Sequence, residues 1–516
     1  MSFVALPPVL TRFSEFGASH FPASPALTHS GRTLSYAELD GCAKAFAAQL
    51  QQRGVRPGER VVIALENSFE YAASLLAVFL CGAVAVPISP DTTAERLHAI
   101  RHDCAASQVV LREALARKLG IAESGAPLLL HAHWEQNQTA WFSNTAAADP
   151  AADPDPEALA MILYTSGTTG APKGVMLSHR NLLSNTQAII SYLELTGRDS
   201  IVTILPFFYS FGNSVLLTHL ATGARVVIEN RFAFPNTVVE TMQREKPTGF
   251  SGVPYSFYVL LNKSTFPERD WSFLRYISQA GGGMRVEAVR QLQRILKDVS
   301  IIVMYGQTEA AARLTYLPPA RLNEKLGSAG IPIPGVELRI VDERGQTLPP
   351  GQVGEVAVRG ENIMLGYWNM PEETAAAIRS GWLYTGDMGR LDEDGFLYLV
   401  SRKSDFIKSA SYRISPGEIE EVLAECAGVA DVAAFGVEDD LLGEAIAAAV
   451  VMKGEEIHSF DAARLREHCL QRLPFFKVPK FIFQEELIPR TSSGKTQYFL
   501  LREKYRSHGS STHAAS

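Results

Sequence analysis

After the apolar run Met161-Ile162-Leu163 the chain reads Tyr164-Thr165-Ser166-Gly167-Thr168-Thr169-Gly170-Ala171-Pro172-Lys173-Gly174. Glycines let a backbone come close to an anion, and successive N–H groups can bind phosphate oxygens. The hydroxyls of Thr165, Ser166, Thr168 and Thr169 add further donors, and Lys173 adds a cation. This is chemistry for holding phosphate. It is not the GxxxxGK[ST] loop of P-loop nucleotide hydrolases, because Ala171 follows Gly170. A string of this composition on its own reads equally well as a flexible turn.

Other segments give it company. Tyr305-Gly306-Gln307-Thr308-Glu309 follows the apolar run Ile301-Ile302-Val303. One carboxylate there suits Mg²⁺, which takes hard oxygen ligands and is commonly held by a single carboxylate plus substrate phosphates. Gly281-Gly282-Gly283 allows a flat ring to approach the backbone. Tyr384-Thr385-Gly386-Asp387 offers a carboxylate that can accept two hydroxyl hydrogen bonds. Ser401-Arg402-Lys403-Ser404-Asp405-Phe406-Ile407-Lys408, then Ser411 to Glu420, then Pro489-Arg490-Thr491-Ser492-Ser493-Gly494-Lys495 complete the series.

Taken in this order, from Leu34-Ser35-Tyr36-Ala37-Glu38-Leu39 to Lys495, the segments resemble the motifs of the adenylate-forming (AMP-binding) superfamily. That superfamily includes acyl-CoA synthetases, fatty acyl-AMP ligases, stand-alone adenylation enzymes and luciferases. The resemblance implies ATP held by Thr165, Ser166, Gly167, Thr168, Thr169, Gly170 and Lys173, with Gly282, Tyr305, Gly306, Gln307 and Thr308 around the base and phosphates. Asp387 and Arg402 would reach the ribose, and Glu309 with Thr165 would hold Mg²⁺. Lys495, Glu309 and Thr165 become the catalytic groups, and Tyr209, Ser210, Phe211, Gly281 and Gly283 line the acyl site. The implied reaction turns a small carboxylic acid and MgATP into acyl-AMP. The acyl group then passes to a thiol, on CoA or on the phosphopantetheine of a carrier protein. No fused carrier is read, so a carrier would be a separate partner. A cation at Lys495 makes physical sense, since attack by a carboxylate on phosphate brings two anions together.

Departures from the family pattern narrow the reading. Ser401 and Ser411 stand where relatives usually have glycine, and Ser404 occupies the hinge position. Ser411 narrows the expected path of a pantetheine arm, so adenylation is read more firmly than CoA as acceptor. In Leu205-Pro206-Phe207-Phe208-Tyr209-Ser210-Phe211-Gly212, Tyr209 replaces a usual histidine, and Ser210 stands where amino-acid-activating relatives place an aspartate. A buried ammonium without a partner is costly, so an apolar fatty or aryl acid is expected. An amino-acid adenylation enzyme and a catalytically inactive nucleotide-binding relative are the alternatives.

These motifs need rigid elements behind them. Residues 32–103 alternate helical patterns with short apolar runs such as Arg60–Leu65, the rhythm of βα units around a buried parallel sheet. Strands are expected at Met161–Tyr164, Arg225–Glu229, Tyr276–Ala280 and Ile301–Tyr305. Tyr71–Ile88 is uncharged and nearly long enough for a membrane span, but Gly82 and Pro87 break it into a buried helix, a turn and a core strand. Residues 144–159 read as a linker, and Val336–Val400 as all-β. After them come a helix at Ile419–Cys426 and strands at Ala430–Val437 and Ala445–Val451.

The fold class is therefore α/β. A large N-terminal AMP-binding region, 1–403, would hold two α/β subdomains and a β-barrel-like part. A small mobile α/β C-terminal domain, 404–505, would carry Lys495, and 506–516 would form a disordered tail. The formal charge of −7 argues against a nucleic-acid partner. Five scattered cysteines and no secretory pattern in Met1–Pro8 fit a reducing, cytoplasmic setting. The twelve histidines show no metal-ligand spacing.

Overall fold

The structure is a computed structural model that describes residues 5–120, 128–130, 151–165, 172–402, 406–409, 412–439, 442–454, 459–490 and 496–506. The chain forms two compact units. One is Met1–Leu338 with Val358–Leu383, and the other is Arg339–Ala357 with Tyr384–Ser516.

In the larger unit the apolar runs become two sheets. Among the described residues the first has seven strands. Arg60–Ala64 lies between Val84–Pro87 and Gln108–Arg112, all parallel, and Leu159–Thr165 pairs with Val84–Pro87. Val61, Val62 and Ile63 are fully buried, as expected of a parallel strand covered on both faces. The stretch after Tyr71 folds as read. A helix runs from Phe69 to Leu80, Gly82 turns with φ +63°, and a strand follows at Val84–Pro87. No helix among the described residues is long and apolar enough to cross a membrane.

The second sheet has nine strands, with Gly249–Gly252, Tyr276–Gln279 and Ser300–Tyr305 adjacent and parallel. Because these strands run in the same direction, the segments that follow them leave the sheet at one end. Ligands in α/β folds gather at that carboxyl edge. Ser35 starts the helix Tyr36–Gln52 through a capping box in which Glu38 reaches back to the Ser35 N–H.

The smaller unit centres on a hairpin of Val429–Asp439 and Gly443–Met452, with Phe481–Gln484 added in parallel. Alternate residues serve two cores. Val432, Ala434, Ile446 and Ala448 pack with Ile419, Leu423 and Leu465. Ala433, Phe435, Ala447 and Ala449 pack with Ile488, Leu501 and Tyr505. The hairpin is thus buried on both faces, which is why its sequence is continuously apolar. The helix expected at Ile419–Cys426 spans Pro416–Ala424.

One expectation fails. The stretch read as all-β contains the helix Pro371–Ala377, started by Pro371 and carrying Glu372 and Glu373 in its first turn. Both features favour a helix start. Of the linker read at 144–159, residues 144–150 lie outside the described residues, and 159 already begins a strand. The 506–516 tail is described only at Arg506.

The five cysteines are all buried. Burial pushes the thiols of Cys42 and Cys81 up to about 12, which leaves little reactive thiolate. Two buried histidines make stability depend on pH in the same direction. His179 Nδ1 accepts from the Leu10 N–H at 3.1 Å. His219 donates from Nδ1 to the Val215 carbonyl at 2.9 Å and accepts from the Tyr276 hydroxyl at 2.9 Å. Burial pushes both imidazoles down to about 4. Between that value and the ordinary 6.5 the unfolded chain binds protons that the folded chain refuses, so stability falls as pH drops through this window. Unfolding titrations at pH 7.5 and pH 5 should differ by about 2 kcal/mol per histidine. His219→Gln should remove about half of that difference, and an unchanged slope would contradict the assignment.

Candidate active site

The phosphate-type loop leaves an antiparallel hairpin. Leu159–Thr165 pairs with Lys173–Ser178, with Thr165 opposite Lys173 and the Thr165 hydroxyl donating to the Lys173 carbonyl at 3.4 Å. The loop's two ends are therefore held side by side. Ser166, Gly167, Thr168, Thr169 and Gly170 lie outside the described residues. Tyr164 serves the scaffold, since its hydroxyl donates to Asp103 at 2.5 Å.

The other edge of Lys173–Ser178 is also occupied. Gly366–Tyr367 pairs with it antiparallel, Tyr367 opposite Val175, and the Trp368 N–H donates to the Gly174 carbonyl at 2.7 Å. This register puts the Lys173 ammonium 5.1 Å from the centre of the Tyr367 ring, a cation–π contact. The Tyr367 hydroxyl then donates to Glu309 Oε1 at 3.0 Å, while the Met364 N–H donates to the Glu309 carbonyl at 2.9 Å. Lys173, Tyr367 and Glu309 so form one continuous contact chain. Tyr367 was not among the residues singled out from the sequence. Its partners are far away along the chain, and no local pattern marks it.

Glu309 sits in a short turn after the strand Ser300–Tyr305. Gly306 is required there, because a Cβ would lie 1.9 Å from the Ala312 carbonyl oxygen. Tyr305 is largely buried, and Gln307, Thr308 and Glu309 are half-buried. The Thr308 hydroxyl lies 3.3 Å from the Ser210 hydroxyl, tying this turn to the segment expected to line the acyl site. That segment divides by burial. Phe207, Phe208, Val215 and Leu216 belong to the core, whereas Tyr209, Ser210 and Phe211 are half-buried. The glycine run is exposed beyond its strand, and the Gln279 amide fixes its turn by donating to the Gly282 carbonyl at 2.7 Å.

In the smaller unit Asp387 and Arg402 face each other across neighbouring antiparallel strands, Arg402 Nε 3.3 Å from Asp387 Oδ1. The pair proposed for the ribose is at least brought together. Gly386 has φ +74° and the Asp387 N–H donates to the Thr385 hydroxyl, so the motif turns on itself. Lys495 and Ser404 lie outside the described residues, as does Ser411. Arg490 and Thr496, on either side of the lysine segment, pair in an antiparallel bridge, and Arg490 binds Asp431 at 2.7 Å.

Among the described residues no three His, Cys, Asp or Glu side chains gather as a metal cage. A single hydrogen-bonded carboxylate at Glu309 fits an ion carried mainly by a ligand's own oxygens and by water. Tyr367→Phe should therefore weaken magnesium–nucleotide binding about tenfold, the scale of one hydrogen bond to a charged group. Calorimetric titration checks this, with a thermal scan confirming that the fold is kept. Unaltered affinity would remove Tyr367 from the site.

The AMP-binding enzyme family matches residues 15–368, and the AMP-binding enzyme C-terminal domain matches 418–495. A long-chain-fatty-acid–CoA ligase of Escherichia coli O6:H1 is 32% identical over 533 aligned residues, covering 95% of this chain and 94% of that protein. A feruloyl-CoA synthase of Amycolatopsis sp is 32% identical over 490, covering 92% and 94%. The solved o-succinylbenzoate CoA synthetase of Bacillus subtilis with its acyl-adenylate intermediate superposes with a TM-score of 0.85 at 29% identity, covering 95% of this chain and 98% of that one. The same enzyme in complex with ATP and magnesium ion gives 0.83 at 29%, covering 95% and 99%. Sequence and fold agree: this chain belongs to the AMP-binding enzyme family, with a large N-terminal and a small C-terminal α/β domain.

Proposed function

We propose that the protein is an AMP-forming acid–thiol ligase that activates an apolar acid, fatty or aryl, and transfers the acyl group to CoA. The observation that carries this reading is the contact chain from Lys173 through Tyr367 to Glu309, with the next residue, Thr308, bonded to Ser210. It joins the phosphate-type loop to the segment expected to hold the acid. The relatives named as CoA ligases and the neighbour holding ATP and magnesium support it.

In the first step a carboxylate oxygen of the acid attacks the α-phosphorus of ATP. The bond to the bridging oxygen breaks, and pyrophosphate leaves. Bound Mg²⁺ supplies charge neutralisation on the phosphates. Lys173 stands at the base of the phosphate loop, and its contact with the Tyr367 face aims the ammonium without neutralising it. Thr165 and Thr308 offer hydroxyls, and Asp387 with Arg402 would take the ribose. Lys495 would screen the approaching anions. In the second step a thiol attacks the acyl carbonyl and AMP departs. The domain from 404 would turn about Ser404 between the two steps, withdrawing Lys495.

Ser210 supplies no carboxylate for an α-ammonium, and its hydroxyl is engaged with Thr308. This weighs against the amino-acid reading. Phosphopantetheine on a separate carrier is the second acceptor; it presents the same pantetheine arm as CoA, so the serine at position 411 does not separate the two.

Lys495→Met should lower ATP–pyrophosphate exchange by roughly a hundredfold or more, the scale for removing a group that stabilises transition-state charge. Thioester formation from supplied acyl-AMP should stay within a few-fold of the parent. Equal loss in both half-reactions would place the lysine elsewhere, and no acid-dependent exchange by the parent protein would return the inactive-relative reading.

A further inference from the structure

Arg313 is 2% exposed, yet its neighbours are neutral. Its Nε donates to the Tyr192 hydroxyl at 3.3 Å, and Nη1 makes a long contact with the Ala312 carbonyl at 3.5 Å. Its guanidinium carbon lies 4.5 Å from the centre of the Phe211 ring. No carboxylate pairs with it among the described residues. Other charges buried this deeply are compensated: Glu229 by Arg231, Asp199 by Arg275, Asp439 by Lys480. A buried cation lacking an anion is strongly destabilising unless something supplies the counter-charge.

The backbone insists on this placement. Ala311 and Ala312 both have positive φ, +55° and +126°, which are unfavourable for residues with a Cβ. Asn185 and Asn362 each donate a side-chain amide to the Arg313 carbonyl, at 3.0 and 2.9 Å. Strain held in place by two amides, directly after the Thr308–Glu309 turn, is what a functional position looks like. The guanidinium rests on Phe211, the residue after Ser210, and so stands on the segment read as acyl-binding.

We propose that Arg313 is a specificity residue whose guanidinium receives a second oxyanion on the body of the acid, away from the carboxylate that reacts. This rests on the ligase reading and refines its substrate class. The preferred substrate is an acid with an apolar or aryl body that also carries another carboxylate or comparable oxyanion. The planar fork of arginine suits such a group, and the Phe211 face holds the fork in one plane. A purely hydrocarbon chain packed at this place would leave the buried cation without a counter-charge, so plain long-chain fatty acids are poor substrates.

The test is ATP–pyrophosphate exchange by the full chain with matched acids, each monocarboxylic acid set against its analogue bearing a distal carboxylate, in alkyl and aryl series. The parent should favour the distally charged member of at least one pair by roughly 10- to 100-fold in kcat/KM, the scale of a charge-assisted hydrogen-bonded pair. Arg313→Met should erase that preference through KM, leaving kcat and the uncharged member within a few-fold, and Arg313→Lys should recover part of it. A parent without any such preference overturns the proposal, and this comparison stands even if a variant does not fold. Equal loss on both members in Arg313→Met also overturns it, because the arginine would then serve the reacting carboxylate or the packing. No exchange with any acid counts against the ligase reading instead.

Discussion

Strand Lys173–Ser178 is paired on both edges, and the larger unit's chemistry depends on that double pairing. One neighbour, Leu159–Thr165, brings in the start of the phosphate-type loop. The other, Gly366–Tyr367, brings a phenol whose ring meets the Lys173 ammonium and whose hydroxyl binds Glu309. Glu309 comes from the nine-stranded sheet, whereas Lys173 and Tyr367 belong to the seven-stranded one. The cation–π contact ties Lys173 to Tyr367 within the seven-stranded sheet, and the Tyr367 hydroxyl with the Met364 N–H then carries the link across to Glu309. A one-residue slip of Gly366–Tyr367 would send the phenol to the opposite face and break both contacts at once. The lysine also stays useful. A carboxylate beside it would neutralise it, while an aromatic face orients it and leaves its charge for an anion.

The smaller unit solves a different problem. Its hairpin must be apolar on both faces, so the polar groups that organise its loops come from the edges. Asp431 binds Arg490, and Glu420 accepts from both the Ala434 N–H and the Tyr498 hydroxyl. These contacts hold the two ends of the segment bearing Lys495 against the hairpin. A reacting cation in the superfamily's pattern has to be carried by something rigid, and a two-sided core supplies that rigidity.

The sequence made some of this legible and hid the rest for definite reasons. Buried parallel strands are short apolar runs closed by glycine or polar turns, so Arg60–Ala64, Tyr276–Gln279 and Ser300–Tyr305 fall within a residue or so of expectation. Glycines at loop starts were equally readable, and Gly306 proves necessary for a steric reason. What local reading could not give is pairing. Tyr367 gains its role from register with residues far back in the chain, and Arg339–Ala357 joins a unit made mainly of residues after Tyr384. Helix Pro371–Ala377 is short and exposed, with no apolar face to set a period. Arg313 carries no local mark, since burial cannot be inferred from a single charged letter.

The charges in the larger unit point to how selectivity can arise within a common reaction. The groups proposed to serve any acid activation, Lys173 for phosphate and Glu309 for a metal-bound nucleotide, are half-buried and remain within reach of water. Screening there keeps their interactions moderate. Arg313 is enclosed, where an ionic contact made or missed is worth far more. Discrimination between acids is a difference between occupied and unoccupied partners, and it grows as the site becomes drier. A residue buried at a stability cost is thus placed where the same desolvation sharpens choice. Phe211 and Tyr192 contribute by excluding water from the guanidinium while offering nothing that could replace an anion.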